Sequence, residues 1–411
     1  MSDLMFKVVT VEEAKKSLEP FIKQLNRQKE SVPIEKACGR YTSQNITVGE
    51  DVPGFSRSTM DGFAVNSVDT FGASAAMPAY LEVAGEVKMG EEATLELSPG
   101  EAMQIATGGM LPPGADAVIM IEDTEWLDDS TIGVLKPVAP GENVVRKGED
   151  ISQGEILITE NHCLRPQDLG ALAAVGIDKV TVWKPLNIGI ISTGNELVSP
   201  EEQIRPGMIR DINSYTLYGL VQEAGGNPSL YGIVKDDFRE LKERVEEALQ
   251  DNDIVLLSGG SSVGTRDHTL RVLQEMEGFQ ILFHGISVKP GKPAITAAGN
   301  GKLVFGLPGH PVSAMVAFKV LVEPVITGQL QNKQKLNFVK ATITRSLSST
   351  PGREDHVRVK LIFKEGQLFA EPVLGKSALI NTMVKSHGEI VIPLGEEGVG
   401  AGEEVTVELS N

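Results

Sequence analysis

Residues 187–196 read NIGIISTGNE: a short apolar run, Ile188 to Ile191, that empties into a polar loop holding a glycine and a carboxylate. Downstream of it, strand candidates alternate with helix candidates, the pattern of an open, mostly parallel sheet, so NIGIIST (187–193) is its first strand. Ser214 to Ala224 follows as a helix, with Leu217, Leu220, Val221 and Ala224 on one face and Gly225-Gly226 as a stop. LYGIVKDD (230–237) is the second strand. Phe238 to Gln250 is a helix with Phe238, Leu241, Val245 and Leu249 as its buried stripe and Glu240 supporting Arg244 at i,i+4. DIVLLSGG (253–260) is the third strand, and a loop, a helix and FQILFHGISV lead to KLVFGLPG (302–309), whose following helix opens with Pro311.

Towards the N-terminus, Thr10 and Glu13 have capping-box spacing, and Ala14, Leu18, Ile22 and Leu25 repeat on one face, which predicts an amphipathic helix ending near Arg27. From about 28 to 185 short apolar stretches are broken by Pro and Gly, a β-rich and loop-rich pattern with one further helix around Gln167 to Val175. The last eighty or so residues alternate in VKATITRSL, HVRVKLIF and EEVTVEL, which predicts a small antiparallel β unit. No fixed-period repeat is present.

The 411 residues suffice for several cores, and 41% apolar with 23% charged residues is a globular composition. No apolar run approaches the ~18 residues of a membrane span, and the start, MSDLMFKVVTVEEAKK, has no signal-peptide pattern, so a cytoplasmic protein that does not use a membrane is expected. A net charge of −18 disfavours nucleic acid as a partner, because most of the surface would repel a phosphate backbone. Cys38 and Cys163 lack C-x-x-C spacing, which excludes a disulfide framework or thiolate zinc cage, and the six histidines contain no H-x-x-x-H pair.

Ligands of an open parallel sheet bind beyond the carboxyl ends of its strands. Here those ends are STGNE (192–196), KDD (235–237), SGGSSVGTRD (258–267) and LPGHPVS (307–313), bringing Glu196, Asp236, Asp267 and several glycines to one rim. Taken singly, Gly259-Gly260 is a tight turn, Asp267 a helix cap and Pro311 a helix start. Together they favour a phosphate-and-metal site, since backbone N–H groups hold phosphate and carboxylates hold Mg²⁺. The Ser258–Gly264 stretch is no P-loop, lacking Gly-Lys-Ser/Thr. KPGKP (289–293) holds Lys289 and Lys292 beside the same crevice, as point charges for phosphate or an oxyanion. No serine–histidine elbow or activated thiol appears, leaving positioning and electrostatic stabilisation as the mode of catalysis.

Seven ordered motifs now carry a resemblance over nearly the whole chain: PGFSRSTMDGFAV (53–65), Thr107 with GADAV (114–118), NVVRKGEDI (143–151), STGNEL (192–197), SGGSSVGTRD, KPGKP and LPGHPVSA. In these the chain resembles the molybdopterin molybdenumtransferases of the MoeA type, a family that includes the E domain of gephyrin. The third-strand loop by itself also resembles adenylyltransferases of the MogA type.

The resemblance implies an elongated, multidomain α/β plus β chain that forms a homodimer. Its parts would be a helical and β linking domain (1–45 with 151–185), a β-rich second domain (46–150), an open α/β molybdopterin-binding domain (186–330) and a C-terminal β-barrel (331–411). It implies insertion of molybdate into adenylylated molybdopterin with release of AMP, Mg²⁺ being required, on a substrate handed over by a molybdopterin adenylyltransferase. Adenylylation of molybdopterin itself and a gephyrin-like scaffold are the alternatives. Glu196, Asp236 and Asp267 would face pterin, pyrophosphate and metal, and Lys289 and Lys292 phosphate or molybdate. Ser258, Gly259, Gly260, Ser262, Gly264, Pro308 and Gly309 would line the substrate. Asp61, Thr107 and Asp150 would reach the crevice of the other subunit, while Arg358 and Ser377 would form an anion-binding pair. Two departures stand out: Gly285 where relatives often carry Lys, and Lys376 where Gly often precedes the serine.

Overall fold

The structure, a computed structural model, describes residues 8–25, 27–259, 268–328 and 337–410. The chain divides into two compact units, Met1–Glu30 with Trp183–Asn411, and Ser31–Val182.

In the first unit a six-stranded sheet runs in the order Asn227–Val234, Asn187–Thr193, Ile254–Ser258, Lys302–Leu307, Ile295–Gly299, Phe279–His284. The first four strands are parallel and the last two pair antiparallel. The pleat divides their side chains between two cores. Ile188, Ile190, Leu256 and Phe305 meet Ala14 and Leu18 of the Val11–Ile22 helix, Leu217 and Val221 of Asn213–Glu223, and Ala314 and Ala317 of Pro311–Ala317. Ile191, Val255, Leu257 and Val304 face the other way, onto Leu241 and Val245 of Phe238–Asp251 and onto Val272 and Leu273 of His268–Glu275. Both faces are thus covered, which explains the unbroken apolar runs. The first helix opens with the expected capping box, Glu13 N donating to Thr10 Oγ1 at 3.2 Å and Thr10 N to Glu13 Oε2 at 2.8 Å.

The C-terminal strands close on themselves. Glu354–Lys364 pairs with Gln367–Pro372, that strand with Phe338–Ile343, the next with Glu404–Leu409, then Gly388–Ile392, which returns to Glu354–Lys364. Ile343, Val359, Ala370, Ile390 and Val407 fill the barrel. The pairing of Phe338–Ile343 with Gln367–Pro372 is parallel, so alternation alone, which suggested a wholly antiparallel unit, did not reveal either that pairing or the closure.

The second unit holds a six-stranded sheet in the order Ala117–Met120, Gly62–Val65, Glu101–Ile105, Ala79–Val87, Thr131–Val134, Thr124–Trp126. Phe63, Val65 and Ile119 fill one core and Ala64, Met103 and Val118 another, on alternate residues of the same strands. A separate core joins Ala37 to Leu164, Leu172, Val180 and Val182, with the Pro166–Ala174 helix contributing Leu172.

Several local expectations shift. The first helix stops at Ile22, yet Leu25 stays buried because its N–H folds back on Phe21 O and Ile22 O. The second strand spans Asn227–Val234 and stops before KDD, since Asp237 caps the next helix by accepting from Arg239 N and Glu240 N, both at 2.9 Å. Arg244 pairs with Glu247 at 3.5 Å, one turn onward, in place of Glu240. Ile295–Gly299, built from small residues, is a strand that periodicity did not reveal. Among the described residues no helix is long and apolar enough to cross a membrane.

Candidate active site at the sheet edge

The four parallel strands exit on one edge, at Thr193, Val234, Ser258 and Leu307. The exits of the two central strands touch: Gly259, at φ +103°, lies where an added Cβ would stand 2.2 Å from Thr193 O. An added Cβ on Gly309 would in turn lie 3.5 Å from Gly259 Cα. This is also the point where strand order reverses, with the second strand on one side of the first and the third on the other.

The acidic rim is tied to these exits. Thr193 Oγ1 donates to Asp236 Oδ1 at 3.2 Å, Asn195 N reaches Oδ2 at 3.4 Å, and Asp236 N donates back to Asn195 Oδ1 at 3.2 Å. Glu196 folds its carboxylate over Gly194, whose added Cβ would be 2.8 Å from Oε2, and both Glu196 and Asp236 face solvent. Gly260, Ser262, Gly264 and Asp267 lie outside the described residues. Among the described residues no group of three His, Cys, Asp or Glu side chains is placed to hold a metal. Two hard carboxylates at one loop cluster nevertheless fit Mg²⁺, which is commonly bound through one or two carboxylates plus substrate phosphate and water.

Under the rim lies a buried polar floor that the motif reading missed. Asn213, in the first turn of its helix, donates from Nδ2 to Ser258 Oγ at 2.6 Å and to Gly309 O at 2.8 Å. Asn213 thus holds two strand exits together, with Ser258 buried beneath the crevice and Pro308 also buried. Ser192 Oγ donates to Asp211 Oδ1 at 3.0 Å and contacts Ser214 Oγ at 3.0 Å. The signal was available in IRDINS (209–214), polar residues at the start of a helix that follows a strand exit.

The lysine turn is anchored to the barrel. Val288–Lys289 pairs in parallel with Glu354 and Asp355, and Lys289 Nζ lies 3.1 Å from Asp355 Oδ2, whose other oxygen is 3.3 Å from Arg353 Nε. Asp355 is buried. Lys292 is exposed and has no ion pair among the described residues. Gly285, the departure noted above, is buried at φ +102°, a conformation that a lysine would adopt only with strain.

Arg358 is buried directly opposite Glu389 on the adjacent antiparallel strand, and burial pulls its guanidinium below its ordinary range while Glu389 opposes that. Glu389 also lies 3.7 Å from Lys319 Nζ and from His356 Nδ1. Ser377 Oγ lies 2.9 Å from His310 Nδ1, and Ser377 shares no hydrogen bond with Arg358 among the described residues.

In the second unit, three segments carry the remaining residues and are stitched by their backbones. Arg57–Ser58 pairs with Val144–Val145, Gly108 N donates to Ser58 O at 2.8 Å, and Asp150 N to Val52 O at 3.1 Å. Asp61 Oδ1 accepts from Thr107 N at 2.7 Å and Thr107 Oγ1 at 3.0 Å, which together hold its carboxyl below the usual carboxylate range. Asp61 and Asp150 are exposed.

Comparison with known proteins agrees with this layout. Residues 9–176 match the MoeA N-terminal region (domain I and II), 189–328 a probable molybdopterin binding domain, and 340–410 the MoeA C-terminal region (domain IV). The molybdopterin molybdenumtransferase of Bacillus subtilis is 33% identical over 98% of this chain and 94% of its own length. That of Haemophilus influenzae is 35% identical over 93% and 94%. A crystal structure of the molybdopterin biosynthesis moeA protein from Pyrococcus horikoshii OT3 superposes with a TM-score of 0.81 at 34% identity, covering 98% of this chain and 100% of that one.

Proposed function

This chain belongs to the MoeA family of molybdopterin molybdenumtransferases, with a role in molybdenum cofactor biosynthesis, and from that premise we propose that it inserts molybdate into adenylylated molybdopterin with release of AMP. The observation that carries this reading is the meeting of Glu196 and Asp236 with the glycine-lined exits of Thr193, Ser258 and Leu307 at one sheet edge.

Both reactants are anions on a chain of net charge −18, so local cations must draw them together. Lys292, exposed and unpaired among the described residues, is free to meet phosphate or molybdate, while Lys289 is oriented by Asp355. Glu196 and Asp236, joined by Asp267, would hold Mg²⁺, whose charge offsets that of the phosphate oxygens. Backbone N–H groups of the glycine-containing exit loops orient the pyrophosphate, Gly259's own N–H being given to Leu307 O at 3.3 Å. Ser258 supports that loop from beneath, and Arg358 and Ser377 of the barrel bind oxyanion. The protein acts as a homodimer in which Asp61, Thr107 and Asp150 complete the partner's crevice.

The test is an assay of purified protein with adenylylated molybdopterin, Mg²⁺ and molybdate. AMP release that depends on molybdate is expected, and ATP consumption with pyrophosphate release would identify an adenylyltransferase instead. For the dimer, mixing Asp61→Asn and Asp267→Asn proteins should regenerate activity absent from either alone.

A further inference from the structure

We propose that His310 is a positioning residue for oxyanion binding: its imidazole, by donating from Nδ1 to Ser377 Oγ, leaves the Ser377 proton free for the bound molybdate. The proposal rests on the reading of Ser377 given above and deepens it.

His310 occupies the N-cap of the Pro311–Ala317 helix with extended backbone, φ −73° and ψ 128°, but its side chain makes no capping bond. Ser, Asp or Asn there would accept from the N–H of the second or third helical residue. The imidazole instead spans to the barrel, Nδ1 lying 2.9 Å from Ser377 Oγ. The capping duty passes to the barrel as well, since Val312 N donates to Ser377 O at 3.2 Å. Ser377 is thus held twice, by side chain and by main chain, to the loop that leaves the last parallel strand. The residue before His310 is Gly309, whose carbonyl accepts from the buried Asn213 beneath the crevice. On its far side the 375–377 turn is braced by the barrel's own Asn381–Val384 helix, because an added Cβ on Gly375 would lie 2.7 Å from Thr382 Cγ2. Gly309, His310 and Val312, within one four-residue stretch, therefore connect the crevice floor to the barrel turn.

The direction of the bond follows from the ligand. An oxyanion only accepts hydrogen bonds, so Ser377 assists it only if its O–H is not already given to His310. With Nδ1–H donating, Ser377 Oγ accepts from the ring and passes its own proton to the anion. With Nδ1 as acceptor, that proton is consumed and Ser377 offers the anion only lone pairs.

Asn places a donor nitrogen at the same distance from the backbone as Nδ1, whereas Gln carries its nitrogen one carbon further. His310→Ala should raise the molybdate KM about 10-fold with kcat within about twofold, the loss of one hydrogen bond to a charged group. His310→Asn should restore the molybdate KM to near the unsubstituted value, and His310→Gln should behave as His310→Ala, which keeps the test available if alanine impairs folding. In a Ser377→Ala background, His310→Ala should add nothing. A normal molybdate KM in both His310→Ala and His310→Gln, an Asn variant no better than Ala, or additive effects of His310→Ala and Ser377→Ala would each overturn the role of His310 alone. Absence of molybdate-dependent AMP release from the unsubstituted protein would overturn the proposed function, and this inference with it.

Discussion

Gly259 lies against the carbonyl of Thr193 so closely that a β-carbon on it would stand 2.2 Å from the oxygen. Two neighbouring strand exits are thereby pressed into one crevice wall, and only a residue without a side chain permits it. At φ +103° an alanine would also be strained by its own backbone. Gly259→Ala should therefore lower stability by about 2 kcal/mol or more, combining overpacking with backbone strain, and should abolish turnover. Chemical denaturation and the AMP-release assay measure both, and an alanine variant of normal stability and rate would count against so tight a wall.

Glu196 and Asp236 are exposed, so neither carries much of the fold. Glu196→Gln and Asp236→Asn should leave the melting temperature nearly unchanged while reducing AMP release by about 100-fold or more, the scale of losing one electrostatic contact to a reacting group. The Mg²⁺ concentration for half-maximal rate should rise in both. Unaltered Mg²⁺ dependence would remove these side chains from the mechanism.

The two lysines of KPGKP should separate. Lys292 has no ion pair among the described residues, so Lys292→Ala should weaken molybdate binding without altering stability. Lys289 partners the buried Asp355, which among the described residues keeps only Arg353 when the lysine is removed. Lys289→Ala should then cost about 1 kcal/mol of stability in addition to affinity. Equal melting temperatures for the two variants would argue against an anchored first lysine.

Asp168 supplies a pH dependence in the second unit. Burial pushes its carboxyl up, but bonds from Arg165 and His162, with His162 Nε2 at 2.7 Å, outweigh this and bring it from 3.8 to about 2. Because the folded value is the lower one, the stabilisation is complete above the unfolded value and is lost as pH falls from 3.8 towards 2. It amounts to at most about 2 kcal/mol, reduced by the half-exposed Arg165. Asp168→Asn should be less stable at neutral pH, with its denaturation midpoint converging on that of the unsubstituted protein near pH 2. Parallel curves down to that pH would show that the pair contributes nothing.

The parallel strands were legible because burial on both faces demands unbroken apolar runs, as in Ile188–Ile191 and Ile254–Leu257, and helices between them show their stripes at helical spacing. Ile295–Gly299 escaped because Ala and Gly carry little periodic signal. At the site, motif residues could be named, but their surroundings could not. Ser258 is named from its motif as lining the substrate, and nothing in the motif indicates that its buried hydroxyl accepts from Asn213. Lys289 is named as a point charge for phosphate or an oxyanion, and nothing in its loop indicates the contact with Asp355, 66 residues away. His310 read as one histidine among six, with nothing in the loop around it to indicate Ser377.

From the order of residues alone came the alternation of strand and helix, the carboxylates and glycines at strand ends, and the first helix cap, since each depends on neighbours within about one turn or one loop. The closing of the C-terminal strands into a ring, the seating of the lysine turn on the barrel and the hold of His310 on Ser377 were decided by the tertiary structure. Such contacts join segments whose separation along the chain leaves no periodic trace, and they exist only once burial has removed every competing arrangement.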